Sequence, residues 1–182
     1  MEDYISVPLV GFPIIASLII MATVSNLSEE MREKMANPIR WAILLFSLGL
    51  LGLTTAMFYN FFGDLNGFEG IAFNNYEFHK RYIWVESLGI YWSVGLDALS
   101  FPMVWLTTLL LPITIIATWD EKNGAFYHPL ILLMGGALIG VFVALDLFMF
   151  YVFWELTLIP MFFLILKWGG EDRKYAAQKF FI

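Results

Sequence analysis

The sequence predicts an all-α, polytopic membrane protein with five transmembrane helices and the start of a sixth. Of the 182 residues, 60% are hydrophobic and 14% are charged, and the mean hydropathy is +0.74. Soluble domains carry about 45–50% apolar and about 25% charged residues. Several apolar stretches are also long enough to cross a bilayer, because a hydrocarbon core about 30 Å thick needs roughly 20 helical residues.

The apolar stretches predict spans at about residues 5–24, 39–62, 96–119, 127–145 and 147–168. The sequence "YAAQKFFI", from Tyr175, predicts the start of a sixth helix, in which Ala176 and Ala177 permit close packing. The connection between spans one and two is charged and predicts a short helix at the membrane interface. The segment of about 63–95 is predicted to be an outer loop, with its many aromatic residues at the level of the lipid headgroups. Spans four and five meet at Leu145 and Asp146, which predicts an antiparallel hairpin.

The lysine and arginine residues predict the orientation of these spans. If every segment crosses, eight of the ten basic residues fall on one side. Only Lys80 and Arg81 fall on the other side. Basic residues in short loops favour the cytoplasm. We therefore expect the N-terminus outside the cell. The eight residues are Arg32, Lys34, Arg40, Lys122, Lys167, Arg173, Lys174 and Lys179.

The composition also excludes several kinds of function. There are no cysteines, so disulfides and thiolate metal sites are excluded. The net charge of −6 gives no basic surface for nucleic acid. His79 and His128 belong to no metal-binding motif, so no metal site is predicted. The expected non-protein partner is the lipid bilayer.

Glu155 is the residue that most directly suggests a function. It lies inside a nearly uncharged stretch, about 12 Å from Leu147 at about 1.5 Å of helix per residue. A carboxylate at that depth costs roughly 2.5–3.5 kcal/mol, and such residues usually serve ion or proton pathways. Burial raises the pKa of a carboxyl group and a nearby lysine lowers it, so the site is suited to proton exchange. The alternative is a static carboxyl group hydrogen-bonded to another helix.

Other residues near the fifth span are supporting candidates. Pro160 is predicted to kink the helix near Leu156 beside a wetted cavity, with Thr157 bonding a freed carbonyl, or else is simply tolerated in a lipid-facing helix. Asp146 is best explained as the cap of the fifth helix, and Asp97 as a helix-start residue. Lys179 falls in the first turns of the sixth helix, which sets it apart from the other basic residues at that end.

The stretches "GLDALSFPMVWLTTLLLP" and "ALDLFMFYVFWELTLIPMFFLILKWGGEDRKYAAQKFFI" resemble a known family. They are similar to the antiporter-like subunits of proton-pumping NADH–quinone oxidoreductase, respiratory complex I. The string "FWELTLIPM" favours the chain M type, also called the mitochondrial subunit 4 type. The resemblance covers about residues 95–182 well, and the first ninety residues match in span layout only.

The resemblance implies a role for Glu155 in proton translocation, paired with a lysine on the seventh span. It implies an N-terminal portion of an antiporter-like fold, divided at 1–95 and 96–182, with a proton-translocating repeat that begins at about 127. Since family members have about fourteen spans, the chain is expected to be a fragment or one part of a split subunit. Quinone, flavin and iron–sulfur clusters are expected in other subunits, and no cofactor in this chain.

The resulting hypothesis is a proton-translocating translocase subunit of a complex I-like respiratory chain enzyme, with other membrane-arm subunits as partners. The expected location is a prokaryotic cell membrane rather than the mitochondrial inner membrane. One alternative is a subunit of a multisubunit sodium/proton antiporter without redox coupling. Another is a structural membrane scaffold in which Glu155 only joins helices.

Overall fold

The computed structural model describes residues 6–63 and 77–181. Five of its helices are long and apolar enough to cross a membrane, which confirms the predicted all-α membrane architecture. Two strands, β1 (Glu77–Val85) and β2 (Ile90–Leu96), form one antiparallel hairpin, joined by a short 3₁₀ turn at Glu86–Leu88. In chain order the elements are α1 (Ser6–Ser25), α2 (Glu29–Gly63), β1 (Glu77–Val85), β2 (Ile90–Leu96), α3 (Ser100–Ala117), α4 (Gly124–Val143), α5 (Leu147–Trp168) and α6 (Arg173–Phe181).

Helix α4 is the centre of the bundle and is buried along most of its length. It packs against α1, α2, α3 and α5. Its glycines allow these close approaches, because any Cβ atom there would collide with a neighbouring helix. At Gly135 that Cβ would lie 2.5 Å from Leu111 of α3, and at Gly136 it would lie 2.9 Å from Ile14 of α1. At Gly140 it would collide with the Phe153 ring of α5.

Helix α2 begins earlier than predicted, at Glu29 rather than near residue 39. The charged connection is therefore mostly the first turns of α2, and the predicted separate interfacial helix is wrong. Glu29 and Glu30 occupy the first turn, where negative charge is favourable to the helix dipole. Lys34 also pairs with Glu30 one turn earlier, at 2.6 Å between Nζ and Oε1.

The second half of the predicted outer loop is a β-hairpin, which the sequence analysis did not predict. Its residues are rich in aromatic and β-branched types that suit strands. Gly89, at φ 64°, provides the left-handed turn residue. Because β2 continues to Leu96, α3 begins at Ser100 instead of the predicted 96. Residues 64–76 of the predicted loop lie outside the described residues.

The described chain has two distinct ends. At the first, which we call the basic end, α1 joins α2, α3 joins α4, and α5 joins α6. Here Arg40 Nη2 donates to the Glu121 carbonyl at 2.9 Å, and Trp168 Nε1 donates to the Lys122 carbonyl at 2.9 Å. At the second, the hairpin end, the Leu145 N–H group donates to the Ser93 carbonyl at 2.9 Å and so ties the α4–α5 turn to β2. The predicted separation of basic residues between the two ends is confirmed.

Candidate proton-transfer site on α5

Asp146 holds the start of α5. Its backbone is extended, and its Oδ1 accepts hydrogen bonds from the N–H groups of Phe148 at 2.9 Å and Met149 at 3.4 Å. These N–H groups have no carbonyl partner within the helix, so a capping oxygen stabilises the helix start. The capping role predicted for Asp146 is confirmed.

Asp97 makes a similar cap before α3. Its Oδ1 accepts hydrogen bonds from the N–H groups of Leu99 at 3.0 Å and Ser100 at 2.6 Å. The Ser100 hydroxyl accepts a hydrogen bond from the Asp97 N–H group at 2.9 Å in return. Although burial disfavours the charged form, hydrogen bonds from Ser100 and Leu99 hold the pKa of Asp97 below its usual value. The helix-start role predicted for Asp97 is confirmed.

Helix α5 has one face packed against the bundle. Met149, Phe153 and Pro160 are its buried residues. The Phe153 ring lies over Gly140 of α4 and meets the Trp92 ring of β2 edge-on, with centroids 6.0 Å apart. The hairpin and α4 together therefore set the rotation of α5 about its axis.

Glu155 lies on the opposite, exposed face of α5. The neighbouring Trp154 is 52% exposed and Tyr151 is 56% exposed. The Tyr151 side chain, one helical turn before Glu155, lies on the same face and interacts electrostatically with its carboxylate. Since a carboxylate about 12 Å from the start of a span is costly to place in lipid, this face is suited to protein or water rather than to hydrocarbon.

The expected lysine partner of Glu155 is not found within the described residues. Among these residues, one ion pair is present, between Lys34 and Glu30 at the far end of α2. Glu155 is likewise not buried by the helices that the structure describes. The carboxylate faces away from them because the opposite side of α5 holds the packing residues.

Pro160 is buried within a continuous helix that runs from Leu147 to Trp168. The carbonyl freed by a proline is that of the residue four positions earlier, Leu156. The Thr157 hydroxyl donates instead to the Trp154 carbonyl at 2.7 Å. The prediction that the Thr157 hydroxyl bonds the freed Leu156 carbonyl is therefore wrong. Its short side chain bonds the carbonyl three residues earlier, at Trp154, instead.

The sixth predicted helix is present as α6, but it begins at Arg173 rather than near Tyr175. Ala177 is fully buried, as predicted for a small packing residue, whereas Ala176 is exposed. Lys179 is exposed, and its ammonium group lies 6.0 Å from the centre of the Tyr175 ring. The described part of the chain therefore does not bring Lys179 to Glu155.

Two features were missed from the sequence. Tyr151 could have been found, because a residue four positions before Glu155 shares its helix face. Arg40 was considered only for the orientation of the spans and His128 only as a metal ligand, yet His128 is fully buried and both side chains contact the same glycine, Gly124. No local signal in the sequence joins residues so far apart.

The chain is similar to known membrane subunits of respiratory enzymes. Residues 144–182, which include Glu155, match the family described as NADH:quinone oxidoreductase/Mrp antiporter, transmembrane. Subunit M of the F(420)H(2) dehydrogenase of Methanosarcina mazei is 41% identical over 140 residues, covering 76% of this chain and 27% of that protein. A chain 4 of NAD(P)H-quinone oxidoreductase from Nostoc sp. is 35% identical over 176 residues, covering 96% of this chain and 31% of that protein.

The fold is similar to that of a chain in a solved structure, respiratory complex I from Thermus thermophilus with bound NADH. The TM-score is 0.68 at 26% sequence identity, and the match covers 94% of this chain and 31% of that chain. The chain thus spans about a third of the length of the proteins it matches, or less. Sequence and fold agree that this multi-pass membrane chain is similar to about a third of the length of antiporter-like subunits of the chain M or chain 4 type.

Proposed function

We propose that this chain is the part of a complex I-like membrane-arm subunit that contains its first proton-exchanging carboxylate, Glu155. The observation that carries the proposal is the position of Glu155, deep in a spanning helix and on a face that the described helices leave exposed. The match of residues 144–182 to the NADH:quinone oxidoreductase/Mrp antiporter family supports the same role. In this role Glu155 binds and releases a proton while electrons pass from donor to quinone in other subunits.

The remaining parts of the proposal concern the surroundings of Glu155. The rest of the subunit, or a neighbouring subunit, covers the exposed face of α5 and supplies the lysine that alters the proton affinity of Glu155. Within the division at residues 1–95 and 96–182, the repeat that begins at about residue 127 contains the site. Asp146 and Pro160 support it by fixing the start and the shape of α5, and Lys179 lies on the next helix.

The proposal also includes location and cofactors. The membrane is a prokaryotic cell membrane, with the N-terminus outside and the basic end in the cytoplasm. The eight basic residues at that end support this orientation. Flavin, iron–sulfur clusters and quinone belong to the partner subunits, and this chain has no cysteine with which to hold a cluster.

The test is a Glu155→Gln variant of the whole subunit in its assembled enzyme. Gln has nearly the same shape but does not exchange a proton at neutral pH, so we expect intact assembly and loss of most proton pumping into membrane vesicles. Glu155→Asp, which keeps the carboxyl group, is expected to retain more pumping than Gln. Glu86→Gln, which removes an exposed carboxylate of the hairpin, is the matched control. Wild-type pumping by Glu155→Gln would contradict the proposal.

A sodium/proton antiporter subunit without redox coupling is the second candidate, because the description of the matching family also names Mrp antiporters. Purification of the native assembly separates the two. We expect it to contain subunits that reduce a quinone. Sodium-driven proton exchange by an assembly without such subunits would favour the antiporter.

A further inference from the structure

A charged pocket of about 760 Å³ opens at the basic end, between the start of α2, the α3–α4 connection and the end of α5. Eight of the described residues that line it are charged, four of each sign. A water molecule in the liquid takes up roughly 30 Å³, so the pocket has room for many. A balanced set of charges in a cavity of this size favours water over a single cation or anion.

His128 lies in the second turn of α4 and is fully buried. Its Nδ1 atom is 2.9 Å from the Gly124 carbonyl oxygen. Since a carbonyl can only accept, Nδ1 carries the hydrogen and Nε2 presents a lone pair. Nε2 is buried, and among the described residues it has no hydrogen-bond partner.

Arg40 of α2 lines the pocket and reaches the same part of α4. Its Nη1 donates to Asn37 Oδ1 at 3.0 Å, and its Nη2 donates to the Glu121 carbonyl at 2.9 Å. Its Nε lies 2.6 Å from the point that a Cβ atom on Gly124 would occupy. This Nε is also buried, and it too has no partner within the part of the chain that the structure describes.

We propose that the pocket is a water inlet that ends at His128. A water molecule there accepts a hydrogen bond from Arg40 Nε and donates one to His128 Nε2. A buried water needs two to four such partners, and unpaired buried donors and acceptors are commonly satisfied in this way.

The charges around His128 agree with a neutral ligand. Arg40 of α2 and Glu121 of the α3–α4 connection act on the imidazole with opposite signs. Lys167 of α5 lies 4.9 Å from the Phe126 ring, two residues before His128. Helices α1 and α3 contain no charged residue. A small anion would meet the lone pair of Nε2, and a cation would meet the guanidinium group of Arg40.

The inlet would let His128 exchange protons with the solution at the basic end, a consequence that rests on the proposed function. Water access itself does not depend on it and is measurable without any activity. Hydroxyl radicals made by X-ray irradiation oxidise side chains that contact water, including buried ones beside bound water. Irradiation of the assembled enzyme in ¹⁸O-water, followed by mass spectrometry, therefore reports the hydration of His128.

We expect ¹⁸O incorporation at His128 at a rate like that of exposed residues, although its side chain has 0% exposure. Met149, equally buried but in the apolar core, is the internal reference. It should stay unmodified despite the greater reactivity of its thioether group. If His128 were as protected as Met149, the inlet would be ruled out.

Variants test the role of Arg40. Arg40→Met keeps an unbranched chain but removes the Nε donor, and it should lower oxidation of His128 at least severalfold. Lys34→Met changes an exposed residue that does not line the pocket, and it should leave oxidation unchanged. Equal oxidation of His128 in Arg40→Met and the wild type would reject the bridging water. Glu155→Gln should lose proton pumping yet keep the oxidation of His128. The pumping measurement therefore tests the proposed function, and the oxidation measurement tests the water inlet.

Discussion

Glu155 and Asp146 lie on the same helix, and their surroundings give them different roles. Glu155 is on an exposed face at membrane depth, whereas Asp146 Oδ1 accepts hydrogen bonds from the N–H groups that begin α5. A cap needs a hydrogen-bond acceptor and not a titrating group. A proton-transfer residue needs the titrating group itself, so conservative amide substitutions distinguish the two roles.

Asp146→Asn is therefore expected to keep both the fold and proton pumping, because Asn caps helices about as well as Asp. Asp146→Ala should lower the free energy of unfolding by about 0.5–2 kcal/mol, the usual loss on removing a cap. Denaturant unfolding in detergent and pumping in vesicles measure these effects. A loss of pumping in a stable Asn variant would show that Asp146 exchanges protons.

The Asp97 cap predicts a pH dependence. The folded-state pKa of Asp97 is below its usual value of 3.8. Its stabilisation is therefore complete above the unfolded pKa and is lost as the pH falls from about 4 through the folded pKa. The protection of the Leu99 and Ser100 amides against hydrogen exchange, relative to their intrinsic exchange rates, should fall in that window. In Asp97→Asn this loss of protection should be absent, and an identical loss in both proteins would contradict the assignment.

At the scale of elements, α4 and the hairpin decide where α5 can sit. Gly140 admits the Phe153 ring, and Trp92 of β2 closes over the other side of that ring. In a membrane, helices associate through close packing and interhelical hydrogen bonds rather than through the hydrophobic effect. A hydrogen bond of 2.7 Å between the buried hydroxyls of Thr54 and Thr108 joins α2 to α3 in the same manner.

Gly140→Ala is expected to destabilise the bundle by about 1–3 kcal/mol, the usual cost of overpacking. The added methyl group collides with the Phe153 ring, so α5 must shift. Gly49→Ala is the matched control, since among the described residues no atom beyond the backbone of its own helix lies within 4 Å of a Cβ at that position. It should be neutral or stabilising, because Ala favours helix more than Gly. Unfolding midpoints in detergent measure both, and equal midpoints would refute the packing role of Gly140.

For the whole molecule, the two ends differ in charge and in architecture. Eight of the ten basic residues belong to the basic end, while the hairpin end has an aromatic cluster. There Trp84 meets Trp92 and Phe148 edge-on, at centroid distances of 6.1 and 5.7 Å. Basic residues favour the cytoplasmic side, whereas aromatic residues favour both membrane interfaces, so it is the difference in charge that supports the proposed orientation.

The absence of cysteine in these residues allows a direct test of orientation. Glu86→Cys places a thiol on the hairpin, and Lys122→Cys places one at the basic end, both at exposed positions. A membrane-impermeant maleimide added to intact cells should label the first and not the second. After the cells are opened, both should react. The reverse pattern would show that the N-terminus is cytoplasmic.

How far the sequence predicts the fold depends on the range of the interactions. The bounds of α5 and the cap at Asp146 were predicted, because both depend on residues close together in the chain. The hairpin was not predicted, because it depends on pairing between two strands, such as Tyr82 with Trp92. The residues of one strand alone do not show which segment will pair with it. The start of α2 was missed because its charged first turns were predicted to be a separate interfacial helix, and composition alone does not show that the two segments form one continuous helix.

The sequence alone determined that this protein crosses a membrane, and that one carboxylate lies deep in a span. Transfer of a helix into lipid depends on the sum of its own residues, so local composition is sufficient. Only the tertiary structure decided that Glu155 faces outward from the described helices, that α4 is the centre of the bundle, and that Arg40 meets Gly124 beside His128. Those facts depend on packing between residues far apart in the chain. The shapes of the side chains on neighbouring helices determine which helix faces come into contact.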